Sequence, residues 1–334
     1  MNENTERITL IHGSGGKQMH NLIHNLLLSK LGNAILERLD DSAVLQNQSE
    51  GRLAMTTDSY VVSPLFFPGG DIGRLSICGT VNDLATSGAE AKYLSLAFIL
   101  EEGFPLKDLE NIINSIAETA VEAGVKIVTG DTKVVEKGKC DGIYINTCGI
   151  GFIPDGVNLS THNGETGDIV VVTGPMGNHE TALMLARKIL NFKTTIKSDA
   201  NPLNRKVTEL LKKTDGIKTI KDPTRGGLAS ALTEITENSH CEITLREEDI
   251  PVDREVRAVC DLAGLDPLYL ANEGKFVLIC KHDALEAIKE IFPGATAIGT
   301  ISGESIEGRL LVETISGGLR KVAMLETTQL PRIC

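Results

Sequence analysis

At 334 residues the chain is too long for one ordinary hydrophobic core and suits two domains of roughly 150 residues each. Its apolar content of 41% and charged content of 23% belong to a folded globular chain and exclude a disordered one. The net charge of −12 excludes a non-specific nucleic-acid partner, whose phosphates it would repel, but leaves room for ATP, which is bound locally through Mg²⁺ and a few cations.

The first residues, MNENTERITLIHGSGGK, are polar and then strand-like. They lack the basic n-region and long apolar stretch of a signal peptide. No apolar run is long enough to span a bilayer. Leu94, Leu96, Phe98 and Leu100 alternate with small or polar residues, as a half-buried strand does. Leu109, Ile112, Ile113, Ile116, Ala117, Ala120 and Val121 follow with helical spacing, and Gly124 stands where that helix should stop. Val125 to Val128 reads as a strand running into Gly130-Asp131-Thr132-Lys133, so that Asp131 is expected at a strand end; residues 143–152 read as another strand.

Between Pro154 and Gly167 the composition turns to Pro, Gly, Asn, Ser and Thr, the signature of an interdomain connection. A second unit begins with the apolar strand Ile169 to Val172, a turn at Gly174 to Gly177 and a helix from about Glu180 to Ile189. Asp222-Pro223-Thr224-Arg225-Gly226-Gly227 leads into a helix with Leu228, Ala231, Leu232 and Ile235 on one face. Phe276 to Ile279 is a strand, Asp283 to Ile291 a helix and Ala297 to Ile301 a strand, with a hairpin over 309–325 turning at Gly317-Gly318. The reading is an α/β (α+β) chain of two domains, 1–155 and 166–325, followed by the tail 326–334.

Seven scattered cysteines (Cys78, Cys140, Cys148, Cys241, Cys260, Cys280 and Cys334) form no CxxC pair. A zinc site or a disulfide framework is therefore not expected, and the cytoplasm is the simplest compartment. Gly13 to Lys17 falls short of a P-loop, because the earlier glycine is replaced by Ile11 and Lys17 is followed by Gln18. A glycine-rich entry to a helix can still offer backbone N–H groups to an anion, or be only a flexible entry. Asp40, Asp41, Asp58, Asp83, Asp131 and Asp222 lie beside turns and apolar runs. Each alone reads as readily as a cap or turn former. Read as strand-end residues, together they supply the hard oxygens that Mg²⁺ and phosphates require.

The strings His12-Gly13-Ser14-Gly15-Gly16, Asp40-Asp41-Ser42-Ala43, Thr57-Asp58-Ser59, Pro64 to Ala89, Gly130-Asp131-Thr132-Lys133, Asp222 to Gly227, Asn272-Glu273-Gly274-Lys275 and Pro331-Arg332-Ile333-Cys334 resemble the HypE family of hydrogenase maturation factors over essentially the whole chain. The resemblance implies a two-domain aminoimidazole ribonucleotide synthetase-like fold, each domain a mixed sheet flanked by helices, with a flexible C-terminal tail and a homodimer formed through the N-terminal sheets. It also implies a chemistry. A HypF-type carbamoyltransferase places a carbamoyl group on Cys334, ATP drives its dehydration to a thiocyanate, and the cyano group passes to iron on a HypC–HypD complex, becoming a cyanide ligand of [NiFe]-hydrogenase.

That chemistry distributes roles over the matching residues. Cys334 carries the group, and Glu273 and Lys133 are the candidate bases. Asp40, Asp41, Asp58, Asp83, Asp131 and Asp222 are candidates for phosphate and metal binding, with Asp41, Asp58, Asp83 and Asp222 as the Mg²⁺ set. Asn82 and Thr132 are candidates to orient phosphate oxygens, and His12 to contact nucleotide or tail. The plainer readings are that Lys133 holds a phosphate and that Glu273 pairs with Arg225 or Lys275. An extended segment from Glu326 to Cys334 reaches roughly 30 Å at about 3.3 Å per residue, enough for one thiol to serve two sites. Among related ATP enzymes, selenophosphate synthesis would call for a reactive residue in the N-terminal glycine loop, whereas the first cysteine here is Cys78. A thiamine-phosphate kinase has no use for Cys334, and the carboxylates alone do not separate aminoimidazole ribonucleotide synthesis. A non-enzymatic scaffold whose tail docks partners would show no ATP turnover.

Overall fold

The computed structural model describes residues 7–13, 17–39, 42–45, 51–189 and 194–325. The N-terminal helical stretch runs from α1 (Lys17–Leu22) through a π-helical segment (Ile23–Leu28) into α2 (Ser29–Leu31). It is followed by β1 (Arg52–Tyr60), the short pair β2 (Phe66–Phe67) and β3 (Gly70–Asp71), α3 (Ile72–Thr86), β4 (Glu90–Glu101), α4 (Leu106–Ala123), β5 (Lys126–Val135) and β6 (Ile143–Ile153). The second half contains β7 (Ile169–Val172), α5 (Asn178–Ala186), α6 (Asn204–Lys213), β8 (Ile217–Lys221), α7 (Gly227–Ser239), β9 (Cys241–Arg246), α8 (Arg254–Ala263), β10 (Val277–Cys280), α9 (Leu285–Ile291), β11 (Thr296–Glu304), β12 (Arg309–Glu313) and β13 (Leu319–Val322).

The first sheet has the order β1-β6-β4-β5. β4 and β5 are parallel, which requires the crossover that α4 supplies, and β6 is antiparallel to both β1 and β4. Alternation decides its faces. Leu94, Leu96, Phe98 and Leu100 of β4 are buried against the helices, whereas Ile99 is exposed. In β1 the same rule leaves Leu53 and Met55 exposed while Tyr60 is buried. Among the described residues the helices therefore cover one face of this sheet and leave the other open.

The second sheet, of order β13-β12-β9-β11-β7-β10-β8, is antiparallel except for β12 against β9. Helices cover both of its faces. Val170 and Val172 pack with Leu228, Leu232 and Ile235 of α7, while Val171 packs with Val207, Leu210 and Ile288 of α6 and α9. A strand buried on both sides reads as an unbroken apolar run, which is why β7 is Ile-Val-Val-Val.

The helix that joins the two halves is α3. Twelve of its fifteen residues are buried, so it presents apolar residues all round instead of a stripe. Asp71 caps it, accepting from the N–H groups of Gly73 at 2.7 Å and Arg74 at 3.1 Å. Its Ala85 belongs to the second-domain core, whereas Leu75, Ile77 and Val81 belong to the first.

Two local expectations are corrected. Asp131 does not end a strand, because β5 is continuous from Lys126 to Val135. Gly130 is there for packing: a Cβ would come within 2.2 Å of the Leu96 carbonyl oxygen on β4. Asp58 and Asp83 are likewise not at strand ends, since Asp58 lies within β1 and Asp83 within α3.

Candidate active site

Asp58, Asp83, Asp222 and Glu273 converge at the junction of the two domains. Asp58 and Thr56 share the helix-facing side of β1, and the Thr56 hydroxyl donates to Asp83 Oδ2 at 3.0 Å, fixing β1 to α3. Asp222 directly follows β8, and Glu273 lies in the loop before β10. The charges of these groups act on one another. Desolvation, then the Asp222 charge, pushes the Asp83 carboxyl up to about 7. Desolvation also raises Asp222, with Asp58 contributing. Glu273 is raised well above the ordinary carboxylate range, first by desolvation and then by Asp222, Asp199, Asp58 and Asp83.

Among the described residues few cations balance this charge. Arg225 Nη2 is 3.9 Å from Asp58 and largely exposed, a distance at which the pair is weak. Lys221 is engaged by Glu234 at 2.7 Å. Lys275 faces Asp199 at 3.4 Å. The alternative pairing of Glu273 with Arg225 or Lys275 is thus not the arrangement formed: Arg225 faces Asp58 and Lys275 faces Asp199. Asp199 itself, which the sequence reading missed, accepts from the Glu273 backbone N–H at 3.2 Å.

An under-compensated set of carboxylate oxygens matches a hard divalent cation in chemistry. Among the described residues no group of three His, Cys, Asp or Glu side chains is already placed to hold a metal ion. Mg²⁺ is usually held by one or two carboxylates, with water and substrate phosphates completing the shell.

Asn82, expected to orient phosphate, has its side chain committed elsewhere. It donates to the carbonyls of Asn201 at 3.0 Å and Glu273 at 3.4 Å, and accepts from Leu203 N–H at 2.8 Å. Asp131, Thr132 and Lys133 are not brought to the cluster within one chain. They lie on β5, at the opposite edge of the first sheet from β1, about 14 Å away at ~4.8 Å per strand. Lys133 pairs with the exposed Ile99 on the open face, while Thr132 pairs with Phe98 and is buried on the helix side. His12 belongs to the β5 side too, accepting through Nδ1 from the Thr9 N–H at 3.1 Å. An apolar pocket of about 150 Å³ lies between the N-terminal helical stretch and the sheet, lined by Leu27, Leu31, Leu96, Phe98, Asp131 and Thr132 among others. Asp40, Asp41 and Cys334, together with the glycine loop 14–16 and the tail 326–334, lie outside the described residues.

Two unlike mixed sheets, joined through a buried helix with carboxylates from both halves at the junction, define the AIR synthase-related class. Its N-terminal domain family matches residues 39–153 and its C-terminal domain family residues 165–310. Within that class the likeness is specific. Carbamoyl dehydratase HypE of Cupriavidus necator is 47% identical over 340 residues, spanning 100% of this chain and 97% of that protein. The crystal structure of hydrogenase maturation protein HypE in complex with ATP superposes with a TM-score of 0.93 at 44% identity, covering 98% of this chain and 99% of that one. A HypE–HypF complex gives 0.79 at 45% identity, covering 91% and 99%. The chain belongs to the HypE carbamoyl dehydratase family.

Proposed function

We propose that this chain dehydrates an S-carbamoyl group on its own Cys334 to a thiocyanate at the expense of ATP, supplying the cyanide ligands of the [NiFe]-hydrogenase iron. The observation that carries this reading is the carboxylate set shared by Asp58, Asp83, Asp222 and Glu273 across the domain junction of a HypE-family chain.

The chemistry sets three requirements. The carbamoyl oxygen must become a leaving group, which transfer of the γ-phosphoryl group of ATP to that oxygen achieves, releasing ADP. The C–O bond then breaks with loss of phosphate as the nitrogen gives up its protons, leaving S–C≡N. The residues must therefore hold phosphates, receive the thiol-bound group and accept protons. Asp41, Asp58, Asp83 and Asp222 are the residues that would hold Mg²⁺, with Asp40 among those that would bind the nucleotide; when bound, Mg²⁺ neutralises phosphate charge during transfer. Glu273 is suited to accept a proton, because burial among like charges raises its affinity for one. Asn82 acts here as a positioning residue, holding the Glu273 main chain against α3.

Lys133 and Asp131 enter through a homodimer, whereas Thr132, buried on the helix side of β5, does not face that partner. Lys133 stands on β5, at the edge of the first sheet opposite β1, whereas Glu273 meets Asp58 of β1 from the loop before β10, so one reaction centre uses both only if two protomers supply them. The open face with Leu53, Met55 and Ile99 is a surface of the kind a symmetric partner covers. His12 contacts the nucleotide from the β5 side. Carbamoylation falls to a HypF-type carbamoyltransferase and cyanide acceptance to a HypC–HypD complex. The division into 1–155, 166–325 and the tail 326–334 assigns nucleotide binding and dimerisation to the first domain and delivery to the tail. The six described cysteines are all free, in keeping with a reducing cytoplasmic setting, and no described helix is long and apolar enough to cross a membrane.

The test is ATP hydrolysis before and after carbamoylation of Cys334. Turnover that depends on the carbamoyl group is expected; equal turnover with and without it would remove the proposed substrate.

A further inference from the structure

We infer that Asp199 is a positioning residue for Glu273, the reading of Glu273 as proton acceptor being that of the proposed function above. Asp199 lies in the segment Thr194 to Leu203, which leaves the second domain and is tied down on the first. Ser198 N–H donates to the Pro68 carbonyl at 2.7 Å. Arg74 of α3 donates through Nε to the Ala200 carbonyl and through Nη2 to Asn201 Oδ1, both at 2.8 Å. Asn82 takes the Asn201 carbonyl and the Leu203 N–H. The backbone on both sides of Asp199 is thereby fixed to the helix that carries Asp83.

From that anchored backbone Asp199 reaches the loop bearing Glu273. Its Oδ1 accepts the Glu273 N–H at 3.2 Å. Its Oδ2 is buried without a hydrogen-bond donor and meets the Lys275 ammonium at 3.4 Å, the carboxylate being only 5% exposed. Between these contacts, Gly274 sits so close that a Cβ there would be 1.8 Å from the Asp199 carbonyl oxygen. Two oxygens of one carboxylate thus grip residues 273 and 275, and the absence of a side chain at 274 lets the two segments touch.

A buried carboxylate next to other carboxylates is costly unless its bonds are needed. Its charge also adds to the forces raising Glu273. The nearby groups cannot take over its task, since Asp222, Asp58 and Asp83 make no hydrogen bond to the Glu273 loop among those described. The function that fits is geometric. Asp199 holds the base at a set distance from Asp83 of α3 while the domains form one junction.

The experiment compares wild type, Asp199→Ala and Asp199→Asn, each carbamoylated on Cys334, by single-turnover dehydration and by KM for ATP. Asp199→Ala is expected to slow dehydration at least about tenfold with the ATP KM and the extent of carbamoylation unchanged, the signature of a lost transition-state geometry. Asp199→Asn keeps an oxygen for the Glu273 N–H and is expected within about threefold of wild type. Wild-type speed in Asp199→Ala, or an Asn variant as slow as the Ala variant, overturns the inference. If the Ala variant fails to fold, the Asn variant decides alone on the same threshold. A wild type that does not dehydrate overturns the proposed function instead.

Discussion

Asn82 donates its side-chain amide to the main-chain carbonyl of Glu273 at 3.4 Å, joining residues 191 positions apart in the chain. The neighbour of Asn82 in sequence is Asp83, whose carboxyl Glu273's own shift registers. One turn of α3 therefore presents a carboxylate to the site and holds the opposing loop in place.

Replacing Glu273 by Gln keeps the shape and removes the proton acceptor. Dehydration should fall by about 10²–10⁴-fold, the usual worth of a general base. Transfer of the carbamoyl group onto Cys334 by the carbamoyltransferase should be unaffected. Mass spectrometry of the two steps separates these effects.

Asn82→Ala should cost about 1–3 kcal/mol of stability, because it strands buried backbone groups at Asn201 and Leu203. Denaturant unfolding measures the loss. Dehydration should fall further than the loss of folded protein explains, since Glu273 loses its tether.

Asp83, Asp222 and Glu273 all have raised folded-state pKa values. In this pH range the native state binds more protons than the unfolded chain, so its stability decreases as pH rises from about 4 towards about 7. Without divalent cation, thermal unfolding should occur at lower temperature at pH 7.5 than at pH 5. Asp83→Asn should flatten that slope, and Mg²⁺ with ATP should raise the melting temperature most at the higher pH.

Lys133→Ala and Glu273→Gln, each inactive alone, should complement when combined in one mixed dimer. If the two residues of a site come from different protomers, one of the two sites is then wild type, and about half the activity per dimer returns. No recovery in a verified mixed dimer would mean that Lys133 and Glu273 do not work across the interface.

The strands and helices with clear periodicity were legible in the sequence. β4 alternates because one face is buried, β7 is wholly apolar because both are, and α4 shows its stripe and its Gly124 stop. α3 was not, because a helix buried all round has no polar face to set its period. Asp131 was misplaced because Gly130 reads as punctuation, whereas it answers a close approach of β4 within a continuous strand. Asp58, Asp83, Asp222 and Glu273 were identifiable as acidic residues in recognisable strings, but nothing local said that they would meet. Asp199 gave no signal: Ser-Asp-Ala-Asn-Pro reads as an ordinary loop, and its contact with Glu273 spans 74 residues.

The most direct test is the intact mass of the protein carbamoylated at Cys334, followed after addition of Mg-ATP. The modified chain should lose the mass of one water while ATP is consumed, and Cys334→Ala should never acquire the group. Retention of the full carbamoyl mass during ATP turnover, or the same modification and water loss in Cys334→Ala, would contradict the account.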